Sequence, residues 1–472
     1  AKEVQDVTTQ RLQTTRRRFL QLGAGALAAP YIVPASVFGK HAPSNRITMG
    51  CIGTGNQGLP ILERFMKQPD CQILAVCDVN RGSYGYKEPD HLRGREPARD
   101  VVNEYYAKGA ESGSYSGCDA YNDFRELLAR DDIDAVTIVS PDHWHAVMTI
   151  LAANAGKDMY TEKPLSLTIG QGRAMADAVR RNNCVLQTGT HERSNPTVRK
   201  ACELVRSGYI GDVQRILTHV GENNKVGPGP GWTAMPVPEG FDYDLWLGPA
   251  PAVDYHDDRC LYRFRFNYDY SGGQITNFGA HSNDMAQWGL GMDESGPVEI
   301  EYIDAEYLPE GSLFNTALRT KFRARYANGV ELVCQTNKPS VLCRFEGTDG
   351  VVQVENRGKN FLTEPTELAD VEIKPEDAKL AISDNHQRDF LDAVKERRDP
   401  VSSVEAGHRS GSVCHLGNIA IAMETKLTWD PETERFTNEE ANKYLHRELR
   451  KPWDLPELTG MQTASLSDRV RG

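Results

Sequence analysis

The chain has too little positive charge for a nucleic-acid-binding protein and no apolar run long enough to cross a membrane. Among its 472 residues, 54 lysines and arginines stand against 66 aspartates and glutamates, giving a formal net charge of -12. A nucleic-acid partner calls for a basic face, and a membrane span needs about 20 consecutive apolar residues. We therefore expect neither a nucleic-acid partner nor stable membrane insertion.

The chain also lacks a cysteine pattern that binds metal. Its ten cysteines form no C-x-x-C or other metal-ligand spacing. Several of them, such as Cys51 and Cys77, lie in apolar runs typical of buried strands, where cysteine acts as a small hydrophobic residue. We expect free buried thiols and no metal site. The length, with 39% hydrophobic and 25% charged residues, suits a globular protein of two domains.

The first residues have the pattern of an export signal. Residues 15–20 read TRRRFL, which looks like a twin-arginine motif, and an apolar stretch with prolines and small residues follows it. Charged, then apolar, then small is the order of a signal peptide. The alternative is an ordinary basic tail before a short helix. We expect residues 1–39 to direct the protein to the periplasm or otherwise out of the cytoplasm.

A glycine-rich loop follows the apolar run at residues 47–52. It reads G-x-G-x-x-G over Gly53, Thr54, Gly55, Asn56, Gln57 and Gly58. A helical pattern begins after it, and a second apolar run ends at Asp78, 20 residues beyond the last glycine. Such glycines permit a tight turn, a close pyrophosphate and helix-on-strand packing, and the helix start attracts phosphates. This loop predicts a dinucleotide site; the alternative is a glycine-rich turn in another α/β protein.

Asp78 also bears on the choice of cofactor. A carboxylate there accepts the ribose hydroxyls of the adenosine and repels a 2′-phosphate, which favours NAD over NADP. Arg81 lies three residues on and would weaken that preference. We expect NAD, with NADP as the alternative.

Two further motifs follow buried strands of the same sheet. Residues 133–139 form an apolar strand that ends in SPDHWH, and a short strand at 157–160 leads into Glu162-Lys163-Pro164. The carboxyl edge of a parallel sheet is where α/β folds bind ligands. A buried lysine there exchanges a proton with a substrate oxygen, because burial lowers its pKa toward the working range. We expect these residues around the cofactor: Ser140, His143, His145, Glu162 and Lys163.

With these motifs the chain resembles the Gfo/Idh/MocA oxidoreductase family, the group of glucose–fructose oxidoreductase and inositol dehydrogenase. The resemblance covers roughly residues 46–455 and includes VLQTGTHERS at 185–194 and SGGQITNFGAHSND at 271–284. Its C-terminal part resembles an exported bacterial branch. It implies a doubly wound parallel Rossmann sheet, then an α+β domain with a large, mostly antiparallel open sheet.

The resemblance implies this division of the chain: a signal over 1–39, an NAD-binding domain over 46–165, a substrate and oligomerisation domain over 166–430 and a C-terminal extension over 431–472. In the second domain the patterns predict strands at 213–220, 298–307, 318–325, 330–335 and 351–354. They predict helices at 195–207, 280–288, 384–397 and 409–427. An open sheet face favours self-association as a dimer or tetramer.

The resemblance also implies a catalytic histidine, His281, that faces the substrate near Lys163. The family often has an aspartate four residues before this histidine, but Asn277 stands there in this chain. An amide can orient a group and cannot accept a proton. Lys163 or His281 would therefore carry the proton.

Further candidates for substrate contact are His191, Arg193, Trp232 and Asp284. His191 and Arg193 follow a predicted strand; a structural hydrogen bond or ion pair is the alternative for both. Trp232 lies in a loop over 227–244 that is rich in proline and glycine and is expected to cover the substrate. Its ring suits sugar stacking, with a core position as the alternative.

Three functions are open at this point. The leading one is NAD(P)-dependent hydride transfer at a hydroxyl carbon of a sugar or polyol. The second is a glycosidase that uses tightly bound NAD for transient oxidation and elimination. The third is a non-catalytic protein that binds a nucleotide or sugar, against which the presence of both Lys163 and His281 argues. Export favours a cofactor that stays bound and is regenerated in each cycle.

Overall fold

Six parallel strands form the first sheet. The computed structural model describes residues 46–110, 112–223, 226–459 and 463–471. The strands are β1 Ile47–Ile52, β2 Cys71–Cys77, β3 Asp119–Tyr121, β4 Ala135–Ile138, β5 Asp158–Thr161 and β6 Leu186–Thr188. Their order, β3-β2-β1-β4-β5-β6, reverses direction between β1 and β4, which confirms the expected doubly wound sheet.

Burial explains why these runs are apolar throughout. In β4 every residue is buried, and in β1 all but Thr48 are, because helices cover both faces of a parallel sheet. The described helices are α1 Gly58–Met66, α2 Arg95–Ala107, α3 Phe124–Leu128, α4 Asp142–Asn154, α5 Ile169–Arg181, α6 Pro196–Arg206, α7 Tyr243–Leu247, α8 Gly273–Asn277, α9 Gly279–Leu290, α10 His386–Glu396, α11 Val404–Ala422, α12 Glu439–Asn442 and α13 Leu466–Arg471.

The first sheet extends beyond the predicted domain limit at residue 165. Strand β6 pairs in parallel with β5, with Leu186 opposite Met159. Its central Gln187 donates from Nε2 to the carbonyl of His386. A strand before His191 was predicted, but the division at residue 165 assigned it to the second domain, because a local pattern does not show with which strand a segment pairs.

A second sheet of nine strands follows. All five predicted strands are present, as β7 Val213–Val220, β8 Glu299–Glu306, β9 Arg319–Arg325, β10 Glu331–Thr336 and β12 Val351–Glu355. Four were not predicted: β11 Leu342–Gly347, β13 Asn360–Glu364, β14 Lys426–Asp430 and β15 Arg435–Phe436. The strand order is β13-β12-β11-β7-β10-β9-β8-β14-β15, and β10 pairs in parallel with β7 while the other described pairs are antiparallel.

The long helix packed on this sheet differs from its predicted bounds of 409–427. Helix α11 begins at Val404, where Ser403 caps it by accepting from the N–H of Ala406, and it ends at Ala422. Residues from Lys426 onward alternate between exposed and buried positions and join the sheet as β14. The predicted helix at 409–427 therefore combined the end of helix α11 with the start of strand β14.

All ten cysteines are free thiols, nine of them buried. Over the described ranges there is no group of three His, Cys, Asp or Glu side chains suited to a metal ion, and no helix there is long and apolar enough to span a membrane. The predicted export signal at 1–39 lies outside the described residues.

Candidate active site

A cavity of about 340 Å³ lies at the carboxyl edge of the first sheet. Its wall includes the last residues of β1 and β2, the residues that follow β4 and β5, and part of helices α8 and α9. The cavity brings together most of the residues predicted from sequence: Gly53, Gly55, Asn56, Gln57, Asp78, Ser140, Glu162, Lys163, His191, Asn277 and His281.

The glycine loop in this wall fits a dinucleotide pyrophosphate. Gly53 has φ +82°, and a Cβ there would lie 2.3 Å from the carbonyl oxygen of Val139. A Cβ on Gly58 would lie 1.9 Å from the carbonyl oxygen of Gly53. At Gly55 it would instead meet the side chain of Tyr86 at 2.7 Å. The first and third glycines therefore allow the tight turn, and Gly55 lines the cavity beneath the ring of Tyr86.

Asp78 lies at the end of β2, where a ribose would be bound. Its carboxylate accepts from the N–H of Thr54 at 2.8 Å and of Asn80 at 2.8 Å, while burial raises its pKa. Thr54 does not line the cavity and acts by holding Asp78. Arg81, expected to weaken the NAD preference, also lies outside the wall and pairs with Glu96 at 3.0 Å.

The two histidines after β4 support the wall and do not line it. Nε2 of His143 lies 3.0 Å from the carbonyl oxygen of Trp246, and burial lowers the pKa of His143 to about 3. His145 lies within hydrogen-bond distance of the carbonyl oxygens of Pro164, at 2.8 Å, and Ser140, at 2.9 Å. Both histidines are buried, so we assign them to positioning the loops rather than to direct cofactor contact.

Lys163 and Asn277 meet across the cavity. Nζ of Lys163 donates to the backbone carbonyl of Asn277 at 3.0 Å and to its side-chain Oδ1 at 3.1 Å. Burial of the amine lowers the pKa of Lys163 to about 8, because desolvation disfavours the charged form. A large fraction of the amine is thus neutral slightly above neutral pH, and Asn277 fixes its position.

His281 forms a buried dyad with Glu192, a residue not singled out in the sequence. Its Nδ1 lies 2.7 Å from Oε2 of Glu192, and both side chains are at most 2% exposed. Burial lowers the pKa of His281 to about 4. Burial opposes ionisation of Glu192 as well, but the contact with His281 and the charge of Arg357 hold its pKa below the usual range. A carboxylate only accepts, so Nδ1 carries the proton.

The other nitrogen of this imidazole is therefore an acceptor. Nε2 of His281 is buried and has no hydrogen-bond partner among the described residues, and His281 lines the cavity. A neutral imidazole held in this tautomer can accept a proton from a group bound in the cavity.

Glu162 anchors a second polar cluster. Its Oε1 lies 3.4 Å from Nε2 of His191, which in turn lies 3.1 Å from the hydroxyl of Tyr160. Burial opposes ionisation, but the hydrogen bond with His191 and the charge of Lys163 lower the pKa of Glu162 to about 2. The ionised carboxylate balances part of the positive charge around the lysine.

Arg193 and Asp284 take the structural alternative. Nη2 of Arg193 lies 2.8 Å from Oδ1 of Asp284 and 2.7 Å from Asp293, and Ser410 donates to Asp284 at 2.6 Å. Neither Arg193 nor Asp284 lines the cavity. The polar atoms of both side chains are engaged by these partners, so we assign Arg193 and Asp284 a structural role and not a substrate contact.

Trp232 also lies away from this cavity. Its ring packs on the guanidinium of Arg259, at 5.1 Å from the ring centre, and it lines a different cavity. Of the predicted covering loop at 227–244, Phe241 reaches the active-site wall. The loop therefore contacts the site near its C-terminal end and not through Trp232.

Three wall or dyad residues carried a weak sequence signal or none. Glu192 lies between two predicted candidates, His191 and Arg193, in the short helical turn that follows β6, but the sequence did not indicate Glu192 itself. Tyr86, in the loop after β2, and Arg357, in the turn after β12, line the cavity, and nothing in their local pattern indicates a site.

Two family models match the chain. Residues 47–190 match the NAD-binding Rossmann fold of the Gfo/Idh/MocA oxidoreductase family, and residues 195–455 match the C-terminal α/β domain of that family.

Curated relatives match over a shorter stretch. Glycosyl hydrolase family 109 protein 1 of Shewanella sp. strain MR-4 is 30% identical over 197 residues, which is 41% of this chain and 39% of that protein. An α-N-acetylgalactosaminidase of Shewanella oneidensis is 28% identical over 197 residues, with the same coverage. The chain thus aligns with about two fifths of the length of these relatives.

Solved structures resemble the fold over most of the chain. A levoglucosan dehydrogenase in complex with NADH and levoglucosan is similar with a TM-score of 0.56 and 19% identity, covering 81% of this chain and 99% of that one. At this identity the likeness concerns the fold.

Proposed function

The chain belongs to the Gfo/Idh/MocA oxidoreductase family, and from this premise we propose that it transfers hydride between NAD and a hydroxyl carbon of a sugar or polyol. One observation carries the proposal: Lys163 and His281 line the same cavity as the glycine loop. Two groups that can exchange a proton thus line the same cavity as a loop that fits a dinucleotide.

The residues that would hold NAD follow from the geometry. The loop at 53–58 would take the pyrophosphate, and Asp78 the adenosine ribose. Bound NAD would accept the hydride from the hydroxyl carbon. The absence of Arg81 from the wall supports NAD over NADP.

The proton of the reacting hydroxyl would pass to Lys163. With a pKa of about 8, its amine is close to the working pH, where a general base is most effective. Asn277 holds the amine by two hydrogen bonds and does not take the proton. His281, with Nε2 free and Nδ1 held by Glu192, would accept a hydrogen bond from the hydroxyl and share the proton.

A Lys163→Met variant tests this proposal. It keeps the length of the side chain and removes the amine, so sugar oxidation, followed as NADH formation over a panel of sugars and polyols, should fall by about 10²- to 10⁴-fold. NAD affinity, measured by titration, should change little. Unchanged turnover in this variant would remove Lys163 from the mechanism.

A second candidate is a glycosidase that keeps its NAD and returns the hydride within each cycle. The similarity to family 109 glycosyl hydrolases favours it. In that reaction the same Lys163 and His281 would handle the hydroxyl proton and the acidic proton beside the oxidised carbon. A panel of nitrophenyl glycosides without added NAD separates the two: phenol release with no net NADH supports the glycosidase.

Retention of the cofactor and export belong to this proposal as well. Tyr86 covers the glycine loop at Gly55, which supports slow release of a bound nucleotide. Denaturing the purified protein should release about one equivalent of NAD per chain; release of no NAD would contradict tight binding.

Cell fractionation of the protein and of an Arg16→Lys, Arg17→Lys variant tests export. Light scattering of the purified protein tests the expected homo-oligomer.

A further inference from the structure

The strongest unexplained feature of the active site is the turn at Asn356, Arg357 and Gly358. All three residues have left-handed backbone conformations, with φ of +50°, +62° and +86°. Asn356 tolerates this conformation better than most residues, whereas it is uncommon for an arginine and indicates that neighbouring elements hold the turn. Strain of this kind clusters at ligand sites.

Neighbouring elements hold the turn in place. The N–H of Asn356 donates to the carbonyl of Val341 at 2.9 Å. The side chain of Asn195, which caps helix α6, donates to the carbonyl of Arg357 at 3.0 Å. A Cβ on Gly358 would lie 2.5 Å from Nδ2 of Asn195. The turn is therefore fixed between a strand end and a helix start.

This turn places Arg357 in the wall of the active-site cavity. Its side chain is 49% exposed, and its Nε lies 3.8 Å from Oε1 of Glu192, which is too long for a hydrogen bond. The other oxygen of Glu192 is taken by His281. Within the described ranges, the guanidinium of Arg357 donates no hydrogen bond, so its planar set of donors is available to a ligand.

Arg357 lies near the reacting groups, because its Nε is 3.8 Å from the carboxylate of Glu192 that holds His281. Its charge lowers the pKa of both Lys163 and His281. A pyrophosphate on the glycine loop would be held by other groups, so the anion that suits Arg357 is on the second substrate. Guanidinium binds carboxylates and tetrahedral oxyanions through paired hydrogen bonds.

We propose that Arg357 binds an anionic substituent of the sugar, so that the substrates are acidic sugars carrying a carboxylate or an ester sulfate. This inference rests on the proposed function for the sugar site itself. Arg357 would then determine specificity from outside the sequence motifs and the dyad of His281 and Glu192.

Calorimetric titration of the NADH-loaded protein tests this without turnover. The ligands are glucose and galactose, the uronic acids of the same two sugars, and their 6-sulfates. At least one acidic sugar should bind about tenfold or more tightly than its neutral parent, as expected for a hydrogen bond to a charged group. Tighter binding of the uronic acids identifies a carboxylate as the anion, and tighter binding of the 6-sulfates identifies a sulfate. Equal binding of all acidic and neutral pairs would overturn the proposal.

Variants locate the effect. Arg357→Gln should abolish the preference while leaving neutral sugars and NADH bound as before, and Arg357→Lys should keep part of it. Arg325→Gln, an exposed arginine on the second sheet, is the matched control and should keep the whole preference. A preference that survives Arg357→Gln contradicts the assignment. If that variant fails to fold, Arg357→Lys decides: a reduced preference supports the assignment, and an undiminished one contradicts it. Failure of hydride transfer would appear separately, as no NAD reduction with sugars that nevertheless bind.

Discussion

At the scale of single residues, the amine of Lys163 sets the expected pH dependence. Burial lowers its pKa to about 8, and only the neutral amine accepts a proton. The rate of sugar oxidation should therefore rise with pH through a midpoint near 8. The pKa of His281, about 4, leaves that histidine neutral across this range, so it adds no second step.

Replacing Asn277 by aspartate should move this midpoint. A carboxylate at the position of Oδ1, 3.1 Å from Nζ, favours the charged amine and raises the pKa of Lys163. The midpoint of the rate profile for Asn277→Asp should shift by about one pH unit or more toward higher pH. Asn277→Leu removes the acceptor without adding charge and serves as control. A profile of Asn277→Asp that is unchanged or shifted to lower pH would refute this role.

Glu192 acts through His281 as a positioning residue. Glu192→Leu removes the acceptor of Nδ1 and lets the imidazole turn or change tautomer, so kcat should fall at least tenfold. The affinity for NAD should stay the same. Glu192→Gln still offers an amide oxygen and should retain clearly more activity than the leucine variant. Equal losses in the two variants would indicate a packing defect instead.

At the scale of elements, the sequence predicted strands that carry their own apolar signal and missed strands whose place depends on pairing with distant segments. The glycine loop and the apolar strands carry their own local signal, because burial on two faces requires continuous apolar runs. Strand β6 is stabilised by pairing with β5 and by Gln187 contacts distant in sequence. Arg357 reaches the site only because Asn195 and a strand end hold its turn, and no local pattern encodes such a contact.

The turn between β1 and α1 gives the sharpest test of an element. In Gly58→Ala the new Cβ would lie 1.9 Å from a backbone oxygen, so helix α1 must shift away from the loop. We expect at least tenfold weaker NAD binding and a loss of about 1–3 kcal/mol in the free energy of unfolding. Fluorescence titration and urea unfolding measure the two effects.

Gly411→Ala is the matched control for that substitution. Gly411 lies inside helix α11, and a Cβ there would meet nothing within 4 Å. Alanine should stabilise the helix by roughly 0.5–1 kcal/mol and leave NAD binding unchanged. Similar NAD affinities in the two variants would count against a special role for the loop geometry.

At the scale of the whole molecule, the buried ion pair of Arg193 and Asp284 connects the turn after β6, in the first sheet, with helix α9, which packs on the second sheet. Arg193 belongs to the turn that follows β6, next to Glu192, and Asp284 belongs to helix α9, one turn after His281. The pair therefore fixes the two halves of the catalytic dyad relative to each other. The sequence marked both residues but could not show that they bind one another, because they are 91 positions apart.

Comparing a single with a double substitution tests this connection. Arg193→Met leaves the carboxylate of Asp284, which is fully buried, without its cation, and should cost about 3–5 kcal/mol of unfolding free energy. Arg193→Met with Asp284→Leu removes both charges and should cost clearly less, since no uncompensated charge remains. Asp293→Asn, at the more exposed partner, should cost about 1 kcal/mol or less. Urea unfolding measures the free energies of unfolding, and kcat shows whether His281 and Glu192 keep their relative position. If the double variant is no more stable than Arg193→Met alone, the pair does not couple the two elements as the geometry implies.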